Sequence, residues 1–286
     1  MRIPKGGIGV FDSGIGGLTV LAACRQTCKN EVFYYYGDHT HAPYGNKSKK
    51  RIRRYTFAAM RKFRRLKVKA VVLACNTVTA VCAEELRKKF SFPIIGAEPA
   101  VLPAARAGGT VYVLATRATC KSERYKKLYC QAKKLYPCAE IKTFACNDLA
   151  GEIENGIGEY VDYTPYLPMG KPDGVVLGCT HYIYIKEEIA DFYHCRAYDG
   201  NEGIAKQLFS VLSKRVDFDK KIEKSRDSQP RLTTLRKIVK KLNKCLPKNK
   251  SKKAKTGKNK SVFFLGKSRE RMHFIYEQMF GLNNKG

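Results

Sequence analysis

The sequence predicts an α/β protein built from two similar halves, and two observations carry this prediction. Short, continuous aliphatic runs alternate with amphipathic stretches of helical period, a pattern typical of parallel sheets covered by helices on both faces. Two of the runs are almost the same, Val71–Thr77 (VVLACNT) and Val175–His181 (VVLGCTH). The repeat indicates two equivalent buried strands, each followed by a cysteine and a polar pair.

Length and composition agree with this class. The 286 residues are 44% hydrophobic, enough for two domains with a core each. No run of 18 apolar residues could span a membrane, and the first residues lack the apolar region of a secretory signal. The eleven cysteines have no spacing typical of a disulfide framework, so we expect free thiols. Cys24 and Cys28 lack a second pair of ligands, so we expect no metal site.

The formal net charge of +30 is concentrated in one region. Residues 214–260 contain 19 Lys and Arg but only 4 Asp and Glu, which is half of the excess. One interpretation is a solvated, lysine-rich tether. The other is non-specific contact with nucleic acid through 214–260, by salt-sensitive attraction to phosphates. Phe218 is its only aromatic residue, so stacking on bases has little support.

The first half is predicted to contain four strands and three helices. Residues 52, 55, 59 and 63 show the helical spacing of one apolar face. The predicted strands are Ile8–Phe11, Val32–Tyr36, Ala70–Ala74 and Pro93–Gly96, and the predicted helices are Gly16–Cys28, Ser48–Leu66 and Thr77–Phe90.

The second half repeats this alternation after Glu98 and Pro99. Its predicted strands are Thr110–Ala115, Ile141–Phe144, Gly174–Leu177 and Ala197–Asp199, and its predicted helices are Ser122–Tyr136, Leu149–Asn155, one from His181 through Ile189 and one from Gly203 to Val211. Residues 214–260 interrupt the pattern, with a basic amphipathic helix at 232–246 and disorder elsewhere. The strand Ser261–Leu265 and the helix Ser268–Phe280 then return to the globular body.

These elements predict two pseudo-symmetric, doubly wound parallel-sheet domains with a functional cleft between them. The first domain would comprise 1–97, rejoined by 207–213 and 261–286. The second would comprise 98–206, with 214–260 as an insertion. In open α/β sheets ligands bind at the carboxyl ends of the strands, where both cysteines are expected.

Two thiols facing each other across a cleft suit one reaction, inversion of a carbon centre. One thiolate would remove a proton from one face while the other thiol delivers a proton to the opposite face. A thiol has a pKa of about 8.5, so it needs a neighbouring base or the N-terminus of a helix to become a thiolate. The alternative is that both cysteines are inert, buried strand ends, and the repetition argues against it.

Two further motifs suit the binding of a small, charged substrate. The turn Asp12–Gly17 lies between a strand and a helix but lacks the dinucleotide spacing G-x-G-x-x-G. It predicts a helix N-terminus that binds a carboxylate, with Ser13 as a donor and Asp12 near the reacting proton. Pro43–Gly45 is either a mobile loop at the site or an ordinary turn, and by itself it favours the turn.

Together the motifs resemble bacterial glutamate racemases of the aspartate/glutamate racemase family. The resemblance runs from about residue 6 to 212 and resumes weakly at 261–281. It rests on the order and spacing of Val10–Gly14, Pro43–Gly45, Ala74–Thr77, Gly96–Pro99, Ala115 and Thr116 with Thr119, and Gly178–Tyr182.

The resemblance implies two flavodoxin-like domains and a racemisation of glutamate that needs no cofactor. Cys75 and Cys179 would exchange protons with the substrate, Asp12 assisting the first and His181 the second, with Glu154 as a further catalytic residue. The implied substrate contacts are Asp12, Ser13, Tyr44, Gly45, Asn76, Thr77, Thr180 and His181. The resemblance also implies a cytoplasmic isomerase that supplies D-glutamate for peptidoglycan, hence for cell-wall biogenesis and cell shape, and homodimers are common in this family.

The chain departs from the family pattern in two places. Residues 146–153 lack the usual Pro- and Val-rich run, so Glu152 competes with Glu154 for the role of the family glutamate. The basic segment 214–260 is absent from the usual pattern. Aspartate is the alternative substrate, although the polar residues after the two cysteines favour glutamate.

Overall fold

The computed structural model describes residues 6–156, 162–227, 262–266 and 269–280. Residues 1–209 and 261–286 form one compact unit, which holds both sheets, and 210–260 form a second. In the second unit the described part is helical backbone. Among the described residues, no helix is long and apolar enough to span a membrane.

The first half contains the strands of one parallel sheet and the helices that connect them. They are β1 (Ile8–Asp12), α1 (Gly17–Thr27), β2 (Phe33–Gly37), α2 (Lys49–Arg65), β3 (Ala70–Leu73), α3 (Asn76–Lys89) and β4 (Ile94–Gly96). Near the end of the chain, β9 (Val262–Phe264) joins the edge of this sheet beside β2, and α10 (Arg269–Phe280) follows it.

The second half forms a separate parallel sheet. Its elements are α4 (Val101–Ala107), β5 (Thr110–Ala115), α5 (Arg117–Cys120), α6 (Glu123–Leu135), β6 (Glu140–Ala145), α7 (Leu149–Gly156), β7 (Gly174–Gly178), α8 (Lys186–Tyr193), β8 (Arg196–Tyr198) and α9 (Asn201–Asp227).

The two sheets have the same topology. The first has the order β4-β3-β1-β2-β9 and the second has the order β6-β5-β7-β8. β5 thus takes the place of β1, β6 that of β2, β7 that of β3, and β8 that of β4. This is the doubly wound order, and it confirms the predicted α/β class with two parallel sheets. The domain boundaries given above stay a prediction.

Burial explains why these segments fold as they do. β1, β3 and β7 are buried along their whole length, as expected for central strands covered on both faces. α2 buries Ile52, Ala59 and Phe63 and exposes its basic side chains. The Phe63 ring lies directly over β1, where a Cβ on Gly9 would come within 2.9 Å of it.

Most predicted elements are observed within one or two residues, but three expectations were wrong. No helix was expected at α4 or α5. The single helix expected from His181 is a 3₁₀ turn, Thr180–Ile185, followed by α8.

The third correction concerns the helix that precedes the basic segment. It was expected from Gly203 to Val211, whereas α9 continues to Asp227. Lysine and glutamate are good helix formers, so a change to charged composition does not by itself end a helix. The helix predicted at 232–246 lies outside the described residues.

Replacing Phe63 by alanine is expected to destabilise the protein by about 3–5 kcal/mol, because it leaves a cavity over β1. Urea unfolding measures this loss. Phe274→Ala is the control, since the Phe274 side chain is 62% exposed and its removal should change stability by less than about 0.5 kcal/mol. Equal losses in both variants would contradict the packing role of Phe63.

Candidate active site

The two cysteines occupy equivalent positions at the carboxyl ends of β3 and β7. Cys75 is the residue before α3, and Cys179 is the residue before the 3₁₀ turn Thr180–Ile185. Both side chains are buried. Since β3 and β7 match in the two sheets, the sequence repeat corresponds to a structural repeat.

Cys75 lies beside polar groups at the end of β1 and in the turn that follows it. Its Sγ is 3.5 Å from Ser13 Oγ. Burial, and then the Asp12 carboxylate, raises the pKa of the Cys75 thiol to about 12. The backbone N–H of Val78, in the first turn of α3, lowers this pKa as expected of a helix N-terminus, but desolvation of the thiolate outweighs it.

Cys179 is paired with a histidine that is itself held by a carboxylate. Cys179 Sγ is 3.7 Å from His181 Nδ1, and His181 Nε2 is 2.6 Å from Glu154 Oε2. Burial opposes the charge on His181, but hydrogen bonds to Cys179 and Glu154 raise the pKa of His181 well above its ordinary value. His181 can therefore accept the proton of Cys179.

Glu154 is a buried acceptor for three donors from different parts of the chain. Besides His181 it binds the backbone N–H of Ile15, with Oε2 at 2.9 Å, and the imidazole Nδ1 of His39. Burial raises the pKa of Glu154, but the hydrogen bond and charge of His181 outweigh it and bring the pKa to about 2. Glu154, and not the half-buried Glu152, holds His181.

Asp12 connects the two halves. One carboxylate oxygen accepts the N–H of Gly14 at 3.0 Å, and the other accepts the hydroxyl of Thr180 at 3.3 Å. Burial raises the pKa of Asp12, against the opposing effect of His181. The raised pKa lets Asp12 hold a proton more readily than an exposed carboxylate would.

The residues expected to contact a substrate fall into two groups. Ser13, Asn76 and Thr180 lie beside the thiols or Asp12. Asn76 Oδ1 is buried and has no hydrogen-bond partner among the described residues, and a polar atom in this state indicates a place for a donor from a ligand. Thr77 Oγ1 is 2.9 Å from Thr116 Oγ1, which is 3.0 Å from Thr119 Oγ1.

Tyr44 and Gly45 are placed less directly. The Tyr44 hydroxyl donates to Asp38 Oδ2 at 2.6 Å, so that hydroxyl is already engaged in the protein. Gly45 lies against Thr116, where an added Cβ would come within 3.0 Å of the threonine. Gly45 therefore packs closely against Thr116, the middle member of the hydrogen-bonded series Thr77, Thr116 and Thr119.

The sequence analysis missed His39. It begins a 3₁₀ turn, His39–His41, two residues after β2 and directly contacts Glu154. The available signal was its place at the carboxyl end of a strand, the edge where both cysteines were expected. In the described part of the chain, no group of three or more His, Cys, Asp or Glu side chains could hold a metal ion.

Comparison with known proteins gives one consistent result. The Asp/Glu/Hydantoin racemase family matches residues 8–208. A protein of Clostridium acetobutylicum named glutamate racemase is 38% identical over 225 residues, 75% of this chain and 87% of its own length. A glutamate racemase of Clostridium perfringens is 39% identical over 213 residues, 70% of this chain and 81% of its own.

Solved structures agree. Escherichia coli glutamate racemase, in complex with L-glutamate and the activator UDP-MurNAc-ala, is similar with a TM-score of 0.65 and 32% identity, covering 73% of this chain and 83% of that one. Glutamate racemase from Francisella tularensis, in complex with D-glutamate, has a TM-score of 0.61 and 31% identity, covering 74% and 83%.

Replacing Glu154 by glutamine is expected to cost about 3–5 kcal/mol at pH 7, because it leaves His181 as an unpaired buried group. The folded pKa of about 2 lies below the ordinary 4.5, so the carboxylate stabilises the protein above pH 4.5. That contribution is lost as pH falls through about 2. The difference between the variant and the native chain should therefore shrink over this window, as measured by urea unfolding.

The control is Glu152→Gln, two residues earlier on the same helix and half-buried. It should change stability by less than about 0.5 kcal/mol. A pH-independent loss for Glu154→Gln, or an equal loss in the control, would contradict the ion pair.

Proposed function

This chain belongs to the Asp/Glu/Hydantoin racemase family, and we propose that it interconverts L- and D-glutamate without a cofactor. The observation that carries the proposal is the pair Cys75 and Cys179, at equivalent strand ends of one compact unit. Each thiol has its own helper, Asp12 beside Cys75 and His181 beside Cys179. This arrangement suits proton exchange at the two faces of one carbon.

The proposed reaction conserves protons at each step. In one direction the Cys179 thiolate takes the Cα proton, and the Cys75 thiol gives its proton to the opposite face. Cys179 is then a thiol and Cys75 a thiolate, which is the state that the reverse direction requires. His181 accepts the proton of the resting Cys179 thiol, and Asp12 has the same function for Cys75.

Three features support recognition of an amino acid with two carboxylates. Within the described part of the chain the buried Asn76 Oδ1 has no donor, and an ammonium group would supply one. The hydroxyls of Thr77, Thr116 and Thr119 form a connected chain that can donate to a carboxylate. Ser13 and Thr180, beside the thiols, supply further hydroxyls. Aspartate has the same groups with one methylene fewer, so it is the alternative substrate.

We further propose that the product D-glutamate supplies peptidoglycan synthesis, which assigns the enzyme to the cytoplasm and to cell-wall biogenesis and cell shape. The support is the likeness to bacterial glutamate racemases. The homodimer expected from the resemblance stays a prediction, and analytical ultracentrifugation would test it.

A second property, non-specific contact with nucleic acid, has support from charge. Residues 214–260 carry 19 basic side chains against 4 acidic ones. In the first unit, α2 adds nine exposed Lys and Arg side chains and no acidic residue. Among these nine, Arg53 pairs with Glu85. Such a charge density favours phosphate contacts that weaken with salt.

Cys75→Ser and Cys179→Ser are each expected to lower racemisation of glutamate at least about 100-fold, because each removes one of two proton-transfer groups. Polarimetry without added pyridoxal phosphate measures this, with aspartate assayed in parallel. In D₂O each variant should exchange the Cα proton of one enantiomer only, and the two variants should act on opposite enantiomers.

Cys130→Ser is the control, since Cys130 is an exposed thiol outside the site. It should retain full activity. Full activity in either active-site variant would refute the two-thiol mechanism, and faster racemisation of aspartate would replace glutamate as the substrate.

For nucleic acid, glutamine at the seven lysines of 248–260 is expected to weaken DNA binding and flatten its salt dependence. Each lost phosphate contact should reduce the slope of log K against log salt by about 0.9. Fluorescence anisotropy with a random duplex measures both quantities, while racemisation should stay unchanged. An unaltered affinity and slope would refute contact with nucleic acid through residues 248–260.

A further inference from the structure

His39 stands in direct contact with the buried carboxylate that holds the catalytic histidine. Its imidazole Nδ1 bonds to Glu154 Oε1, while His181 Nε2 bonds to the other oxygen, Oε2. The His39 side chain is 23% exposed, whereas Glu154 and His181 are almost fully buried. Four side chains thus form a continuous series from the surface to a thiol: His39, Glu154, His181 and Cys179.

The charge state of Glu154 fixes the direction of these hydrogen bonds. Its lowered pKa keeps it ionised, and an ionised carboxylate only accepts. Both histidine nitrogens that face it must therefore donate. This leaves His181 with its Nδ1 directed at Cys179 Sγ, where a proton can pass between the sulfur and the ring.

We propose that His39 is a positioning residue for proton transfer at Cys179, and that it acts through Glu154. By donating to Oε1, His39 fixes the rotation of the carboxylate so that Oε2 remains directed at His181. A carboxylate held at both oxygens orients the histidine ring and stabilises its positive form, as outer partners of functional histidines do. This role rests on the proposed racemisation, but it also predicts a property of the thiol itself.

The other groups around Glu154 cannot replace His39. The backbone N–H of Ile15 also donates to Oε2, so among the contacts of the described residues Oε1 has His39 as its partner. Among the described residues, the remaining titratable or charged groups that interact with Glu154 are Asp12 at the end of β1, Tyr35 on β2, Tyr184 after β7, and Arg271 on α10, which binds the Glu154 backbone carbonyl.

The neighbouring histidine provides a matched comparison. His41 lies two residues further along the same turn, and its Nδ1 is 2.9 Å from both oxygens of Asp38. It stacks on Tyr55, with ring centroids 3.9 Å apart. His41 thus makes an equivalent histidine–carboxylate contact, with Asp38 and not with Glu154.

The test measures the reactivity of both active-site thiols in the full-length protein. Alkylation by iodoacetamide is followed by mass spectrometry of the Cys75 and Cys179 peptides from pH 5 to 10. In His39→Ala the alkylation of Cys179 at pH 7 should slow about tenfold, because the His181 ring is no longer held toward its sulfur. Cys75 in the same molecules should keep its native profile.

Two variants complete the design. His39→Asn places an amide N–H near the position of Nδ1 and should restore the Cys179 profile to within about twofold. His41→Ala should leave that profile unchanged. Because His39 is partly exposed, its removal should preserve folding, and His39→Ser provides a second loss variant if the alanine variant does not fold.

The outcomes separate this proposal from the proposed function. A native Cys179 profile in His39→Ala or His39→Ser refutes the role of His39, whatever the racemase activity. Equal shifts at Cys75 and Cys179 also refute it, because they indicate a general disturbance of the site. A shift confined to Cys179 supports it even if glutamate is not the substrate.

Discussion

The rest of the site depends on the hydrogen bonds that one buried carboxylate, that of Glu154, accepts. It lies on α7 in the second half of the chain, yet it accepts a backbone hydrogen bond from Ile15, in the turn after β1 of the first half. The turn passes so close that a Cβ on Gly14 would come within 2.2 Å of a Glu154 oxygen, which explains why glycine occupies that position. Through His181 the same carboxylate reaches Cys179. One ionised group thereby connects the two halves and orients a base.

The equivalence of the two sheets explains the placement of the thiols. β3 and β7 hold matching positions, so Cys75, two residues after β3, and Cys179, directly after β7, both lie at the edge where parallel sheets bind ligands. The surroundings of the two thiols nevertheless differ. Cys75 has Ser13 and Asp12 as neighbours, and burial dominates its pKa. Cys179 has a histidine within hydrogen-bonding distance. A shared backbone topology thus places two thiols in chemically different surroundings, which suits an enzyme whose substrates are mirror images.

The pKa shifts beside the two thiols also have different physical causes. Beside Cys75 lies the Asp12 carboxylate, and burial raises the pKa of both groups. Beside Cys179 lies His181, whose pKa is raised because its hydrogen bonds to Cys179 and to the ionised Glu154 outweigh burial. Desolvation therefore dominates the pKa shifts beside Cys75, whereas ion pairing dominates those beside Cys179. His39 contacts the ion-paired carboxylate on the Cys179 side.

Local patterns determined the α/β class, the order of the elements and the two strand-end cysteines, because buried strands and amphipathic helices leave periods that depend on nearby residues only. The resemblance to glutamate racemases, which rests on motif order and spacing, also proposed roles for Asp12, Asn76, Thr180 and His181. The choice between Glu154 and Glu152, the contact of His39 and the raised pKa of Cys75 required the tertiary structure. Each depends on groups far apart in the chain: Glu154 and His39 are 115 positions apart, and Cys75 is buried beside Ser13, 62 positions earlier. Sequence periodicity carries no record of such long-range contacts, whereas hydrogen bonding and burial are decided by them.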